Sequence, residues 1–165
     1  MATNNVRIVD PAGLNALPTR VYQAEANTTV INPGEPVMLK TIGTAVYAAA
    51  LTDAKPVIGT DYFIGIAAKT STQTASADGE VEVYLPLPGL VYRAKAKSST
   101  AADTEAEIKA LANKRVVFDL TSSTYTIDTA AADGATNGVM LTGTGDALNS
   151  EVDFMVSTRA TNISF

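Results

Sequence analysis

Apolar residues in this chain recur at every second position, in short runs bounded by Gly, Pro, Asn or Asp, along most of its length. A strand sends successive side chains to opposite faces, so this period belongs to half-buried β-strands and not to a 3.6-residue helix. The pattern predicts a mainly β protein: a β-barrel or sandwich-like core of short antiparallel strands, with one short α-helix and extended terminal arms.

Individual segments carry the reading. VYQAEA alternates from Val21. PVMLK and AVYAA flank TIGT, a glycine-bearing hairpin loop. FIGIAA is a short apolar run entered through Gly59 and Asp61. EVEVYL and LVYRAKA flank PLPG. Taking 86–89 as a hairpin loop sets Val83 opposite Tyr92 and Val81 opposite Ala94 on one face. The other face then pairs Glu82 with Arg93, Glu80 with Lys95 and Asp78 with Lys97. Each such pair contributes a few tenths to about 1 kcal/mol, so together they specify a register more than they stabilise it. They also neutralise what otherwise reads as a basic stripe for phosphate, Arg93, Lys95 and Lys97.

Further on, RVVFDL and TYTID flank TSS and bring Phe118 near Ile127; GVMLTG and EVDFMVS surround TGDALNS. One helix is predicted over 103–113, where Thr104 and Glu107 have the spacing of a capping box and Ile108 and Leu111 give a short apolar face. The chain then divides into an N-terminal arm at 1–20, a β core at 21–98, a linker and short helix at 99–114, a second β lobe or a continuation of the core at 115–160, and a C-terminal arm at 161–165. The N-terminal segment reads equally as an extended arm or a disordered terminus.

Composition narrows the chemistry. The chain has neither Cys nor His. Cysteine nucleophiles, disulfides, Cys/His zinc sites and histidine bases are therefore excluded. The formal charge of −5 lacks the basic excess with which nucleic-acid binders neutralise phosphate. No apolar run approaches the roughly 20 residues that span a membrane, and the first residues do not read as a signal peptide. The expectation is a protein made in a cytoplasm, with no nucleic-acid or membrane partner. Charged residues are 18% of the chain, below the roughly 25% usual in soluble domains. The neutral polar surface that remains suits packing against neighbours in an assembly. Aromatics are only 6% and alanine is abundant, which predicts a thin core.

The remaining catalytic options are weak. Glu80 with Glu82, and Glu151 with Asp153, are close enough on a strand for a carboxylate dyad. Hairpin pairing explains the first, and alternation on a solvated face the second. Asp133 and Asp146 sit in glycine-bearing loops that fit neither a phosphate loop nor an EF-hand and read as turns, with an isolated calcium ion as the alternative. No cofactor is expected, and no catalytic residue. Of six tyrosines, Tyr22, Tyr47 and Tyr92 read as core or core edge, while Tyr84 projects from the outer face of its strand. Val6, Ile8, Val9, Ile163 and Phe165 are apolar residues in segments too short to build a core of their own. With Tyr84 they form the candidate protein-interface set.

The stretch NPGEPVMLK, then YFIGIAAK, the loop TSTQTASADG and finally GEVEVYLPLPGLVYRA resembles the small β-barrel and tulip-like cores of tailed-bacteriophage capsid decoration (cement) proteins. The resemblance covers somewhat over a third of the chain and is one of element order and glycine placement. It implies a non-enzymatic virion structural protein on the outer capsid surface that binds the major capsid protein and stabilises contacts between capsomers. It further implies termini reaching over neighbouring subunits and a homo-oligomer, a trimer first. A carbohydrate-binding or adhesive β module, or a tail-tube or tail-fibre component, is the alternative.

Overall fold

The computed structural model describes residues 6–27, 29–122 and 124–161. The chain is mainly β, as the alternation predicts, and its strands form two bodies that share a core. The first is a closed barrel of β2 (Thr19–Ala24), β3 (Pro36–Ile42), β4 (Ala45–Ala50), β5 (Tyr62–Ala67) and β6 (Gly79–Tyr84), in the order β2-β4-β3-β5-β6. Its pairs are antiparallel except where β2 meets β4, in parallel at Ala24 and Ala48. The second is a five-stranded sheet of β1 (Arg7–Asp10), β7 (Val91–Lys95), β8 (Arg115–Val116), β11 (Val139–Asp146) and β12 (Glu151–Val156), in the order β1-β7-β12-β11-β8. A hairpin, β9 (Phe118–Thr121) with β10 (Thr124–Ile127), completes the strands.

Three of the four hairpins read from sequence are present. β3 turns into β4 at Gly43, with Ile42 opposite Ala45. β9 and β10 set Phe118 opposite Ile127. β11 and β12 pair around the turn at 147–150. The helix α1 (Glu105–Ala110) is shorter than the predicted span, and its capping box is complete: Glu107 N–H donates to Thr104 Oγ1, and Thr104 N–H donates back to Glu107 Oε2 at 3.1 Å.

The fourth hairpin is a correction. β6 and β7 do not pair: β6 lies between β2 and β5 in the barrel, and β7 between β1 and β12 in the sheet. The faces were read correctly, since Val81, Val83, Tyr92 and Ala94 are buried and Glu80, Glu82 and Arg93 point outward. The partners were not. Alternation constrains which face a residue takes and says nothing about which strand lies beside it. Two prolines, Pro86 and Pro88, favour extended backbone at Leu85 and Leu87. Leu85 N–H bonds back to Pro18, and the segment carries the chain from one body to the other.

Residues 7–10 are likewise a sheet strand and not an arm, paired with β7 through Arg7–Arg93 and Ile8–Tyr92. Residues 19–24 belong to the barrel. The sheets also cut across the boundary read near residue 98, because β1 and β7 share a sheet with β8, β11 and β12.

The two cores differ in character. Inside the barrel lie Ala24, Ile31, Val37, Ala48, Ile64, Ala67, Val81 and Val83. A five-stranded barrel is narrow, so small side chains fill it; Ala24, Ala48 and Ala67 stand among its interior residues. The larger core holds Leu51, Ile108, Val116, Leu141 and Val152 with a run of aromatics. Phe63 meets Tyr92 edge-on with centroids 6.1 Å apart, Tyr92 stacks on Phe154 at 5.5 Å, Phe154 meets Phe118 edge-on at 5.4 Å, and Phe118 meets Tyr125 at 6.4 Å. This chain of rings ties the barrel, the sheet and the hairpin together. The expectation of a thin core holds for the barrel and fails here, because the few aromatics are concentrated in one place.

Candidate interaction surfaces

Two surfaces collect the residues singled out by sequence. The first is an apolar groove of about 300 Å³ between β1 and the barrel, lined by Val6, Ile8, Leu17, Pro33, Ile66 and Tyr84, with Arg7 at its edge. Three of the interface candidates thus meet in one place. They are not equally available. Val6 is 1% exposed and belongs to the protein's own core, and its N–H donates to the Gly34 carbonyl at 3.1 Å. Ile8 is half-buried and packs against the same core. Tyr84 is half-buried, on the outer face of β6 opposite Thr19 and Ile66. Val9, 37% exposed, does not line the groove. Ile163 and Phe165 lie outside the described residues. Thr161, the last described residue, sits beside Phe63 in a parallel bridge.

The second surface is the outer face of the five-stranded sheet, and the charges read from sequence are sorted there. Arg93 forks onto Asp153, its Nη2 donating to Oδ2 at 2.9 Å; on the neighbouring strand Arg7 forks onto Glu151, Nη1 to Oε1 at 2.8 Å. Asp153 also accepts from Thr144 Oγ1 at 2.9 Å. These hydrogen bonds hold both guanidiniums above their ordinary pKa. Glu151 and Asp153 are therefore not on a solvated face, as their alternation suggested. They are 7% and 5% exposed, covered by the arginines that neutralise them.

Two of the three cations of the basic stripe are neutralised, by partners other than β6, while Lys95 makes no ion pair among the described residues. Arg93 has Asp153, Lys95 sits opposite Glu151, and Lys97 Nζ lies 2.6 Å from Asp119 and 3.6 Å from Asp128. Glu82 takes Lys69 at 2.6 Å and Thr19 Oγ1 at 2.7 Å, and Asp78 accepts from the Ala26 N–H at 2.8 Å. Sequence reasoning missed Arg7 and Lys69 as charge partners. The first sat in a supposed arm, and the second gives no signal before the barrel closes.

Of the loop aspartates, Asp146 caps its own turn and Asp133 reaches across to the start of β8. Asp146 accepts from Asn149 N–H and Nδ2, and Asp133 accepts from Arg115 N–H at 3.0 Å. Among the described residues no group of three or more Asp or Glu side chains is placed to hold a metal ion. Of the tyrosines, Tyr92 and Tyr125 are buried, Tyr22 packs on the barrel interior, and Tyr47 is a correction: it points out beside Asp78, with its OH 3.3 Å from Oδ2. Tyr62 is 42% exposed at the barrel end, by a groove of about 520 Å³ lined by Leu39, Lys40, Thr41, Val46 and Thr60.

These pairs set a pH window. Burial pushes Asp119 up, but hydrogen bonds from Lys97, Thr121 and Thr126 outweigh it, leaving the carboxyl below its ordinary range. Lys69 and Thr19 hold Glu82 down in the same way. A depressed carboxylate contributes stability above its unfolded pKa of about 4, and the contribution is lost as pH falls through the folded value. Lys97, raised by its hydrogen bond to Asp119, contributes below its unfolded pKa of about 10.4 and is lost as pH rises through the folded value. The melting temperature should accordingly be flat from about pH 5 to about pH 9 and fall below about pH 4. Asp119→Asn should make the acid limb shallower. A melting temperature unchanged down to about pH 2.5 would contradict this assignment.

Comparison with protein-family models, curated proteins and solved structures finds no match to this chain.

Proposed function

We propose that the protein is a non-enzymatic virion structural protein that binds the outer surface of a tailed-phage capsid and stabilises contacts between capsomers, with the major capsid protein as its partner. The observation that carries this reading is the apolar groove beside β1, where Ile8 and Tyr84 stand half-exposed on a body whose carboxylates are largely committed to ion pairs and hydrogen bonds. A mainly β body with a half-exposed apolar groove and a neutral polar surface suits repeated docking on a shell. Val6 and β1 are part of the fold, so within residues 6–10 the contact comes from the groove and not from a free arm. The resemblance to decoration proteins adds a homo-oligomer, three-fold in first expectation.

Burying a large side chain such as Tyr84 contributes roughly 1.5–3 kcal/mol before ordering costs. Tyr84→Glu should therefore lower occupancy on capsids at least about tenfold, while the melting temperature of the free protein changes by only a few degrees. Wild-type occupancy in that variant would remove the groove from the proposal.

The exposed Tyr62 beside its barrel-end groove favours a second reading, a carbohydrate-binding or adhesive module, since an aromatic face beside the polar side chains of Lys40, Thr41 and Thr60 suits a sugar ring. Retention on glycan beads, lost in Tyr62→Ala, would favour it.

A further inference from the structure

The outer face of the five-stranded sheet carries a second row that no ion pair absorbs. In the register of the sheet, Asp10 lies opposite Val91, Met155 lies one step past the Phe154–Tyr92 pair and so beside Val91, Met140 lies opposite Met155, and Arg115 lies opposite Met140. The row therefore reads Asp10–Val91–Met155–Met140–Arg115 across all five strands. Its three apolar members alternate with the buried Tyr92, Phe154 and Leu141, which places them on the outer face, and each is half-exposed. A groove of about 260 Å³ opens over Met140 and Met155, bounded by Pro88, Gly89 and Thr158.

The ends of the row are opposite charges. Asp10 is exposed and accepts only the Ala12 N–H of its own turn among the hydrogen bonds of the described residues. Arg115 gives one guanidinium hydrogen bond, to the Ala135 carbonyl at 3.1 Å. Neither makes an ion pair among the described residues, whereas Arg7, Arg93 and Lys97 on the same body all do. The two ends are four strand spacings apart, roughly 19 Å. Midway between them runs β12, the third of the five strands.

We infer that this row is a self-association surface, in which a second copy of the chain packs face to face about a two-fold axis running along β12. Such an axis sets Met155 against Met155 of the second copy. It carries Asp10 of each copy onto Arg115 of the other. A two-fold contact must be self-complementary, and a row with an apolar centre and unlike ends meets that condition. Methionine side chains adapt to one another without a fixed shape, which suits a contact made by identical residues. The row is small beside the roughly 800 Å² per partner of a stable complex, so the pairing is weak, with a dissociation constant of micromolar order or above. It is an even-numbered arrangement, in place of the three-fold one that the resemblance suggests, and it does not depend on the capsid reading.

The test is a mixing experiment on the full chain by sedimentation equilibrium, over about 10 μM to 1 mM, chosen to bracket the expected affinity. Asp10→Arg alone puts like charges together at both ends of the contact, and so does Arg115→Asp alone. Each should weaken dimerisation at least about tenfold. Mixed in equal amounts, the two variants restore an unlike pair at both ends, and dimers should reappear at near wild-type strength. Met155→Glu, at the axis, should leave only monomer, and near-ultraviolet dichroism of each variant checks that the fold is intact. A wild-type chain that is monomeric or trimeric throughout, or single variants that mixing does not rescue, would overturn the proposal. A wild-type chain that dimerises but does not bind capsids would instead count against the capsid reading alone.

Discussion

Replacing Phe154 by alanine is expected to lower the unfolding free energy by about 3–5 kcal/mol, a large share of the 5–15 kcal/mol that holds a typical domain folded. Phe154 is fully buried and stands in the middle of the aromatic chain, stacked on Tyr92 and edge-on to Phe118. Tyr92 touches Phe63 of the barrel, and Phe118 touches Tyr125 of the hairpin. Removing the ring opens a cavity where three parts of the molecule meet, and rings held on separate strands cannot collapse into it without moving their backbones. Urea denaturation should show a lower midpoint. A change below about 1 kcal/mol would mean that the aromatic chain is not what joins the two bodies. A truncation inside the barrel, such as Val81→Ala, removes less volume and should cost about 1–2 kcal/mol.

Gly65→Ala should cost about 3 kcal/mol or more, for a different reason. Gly65 lies on β5 at φ +134°, where the β3–β5 register shifts and the strand closes onto β6. A Cβ placed there would sit 1.8 Å from the Tyr84 carbonyl oxygen and 2.7 Å from Val83 Cγ1. Backbone cannot yield as a flexible side chain can, so the variant must open the β5–β6 seam. Gly43→Ala is the control. It has φ +61° but open space around it, so only the left-handed backbone is penalised, at about 1 kcal/mol. Hydrogen exchange should show β5 and β6 losing protection in the first variant and keeping it in the second. Equal effects would contradict the tight closure described for the barrel.

Local pattern was legible in the sequence, and long-range partnership was not. The capping box of Thr104 and Glu107, the Phe118–Ile127 register and the inward faces of β6 and β7 all follow from residues close in the chain. The β6–β7 hairpin failed because a charged outer face is satisfied by any neighbour of opposite sign. Glu82 found Lys69 and Thr19, and Arg93 found Asp153, 60 residues away. The same limit hid the surfaces. Ile8 and Tyr84 were singled out separately, and only the docking of β1 beside the barrel brings them into one groove. Met140 and Met155 face each other across a hairpin that the sequence predicted. The row they belong to needs Asp10 and Arg115 from the two edge strands, which no local pattern connects.

The central claim is docking on a capsid, and cosedimentation tests it most directly. Shells assembled from the proposed partner, a tailed-phage major capsid protein, should carry this chain in a fixed stoichiometry that saturates with added protein, and should survive heating to a higher temperature when decorated. Protein that stays in the supernatant at every concentration, leaving shell stability unchanged, would contradict the account.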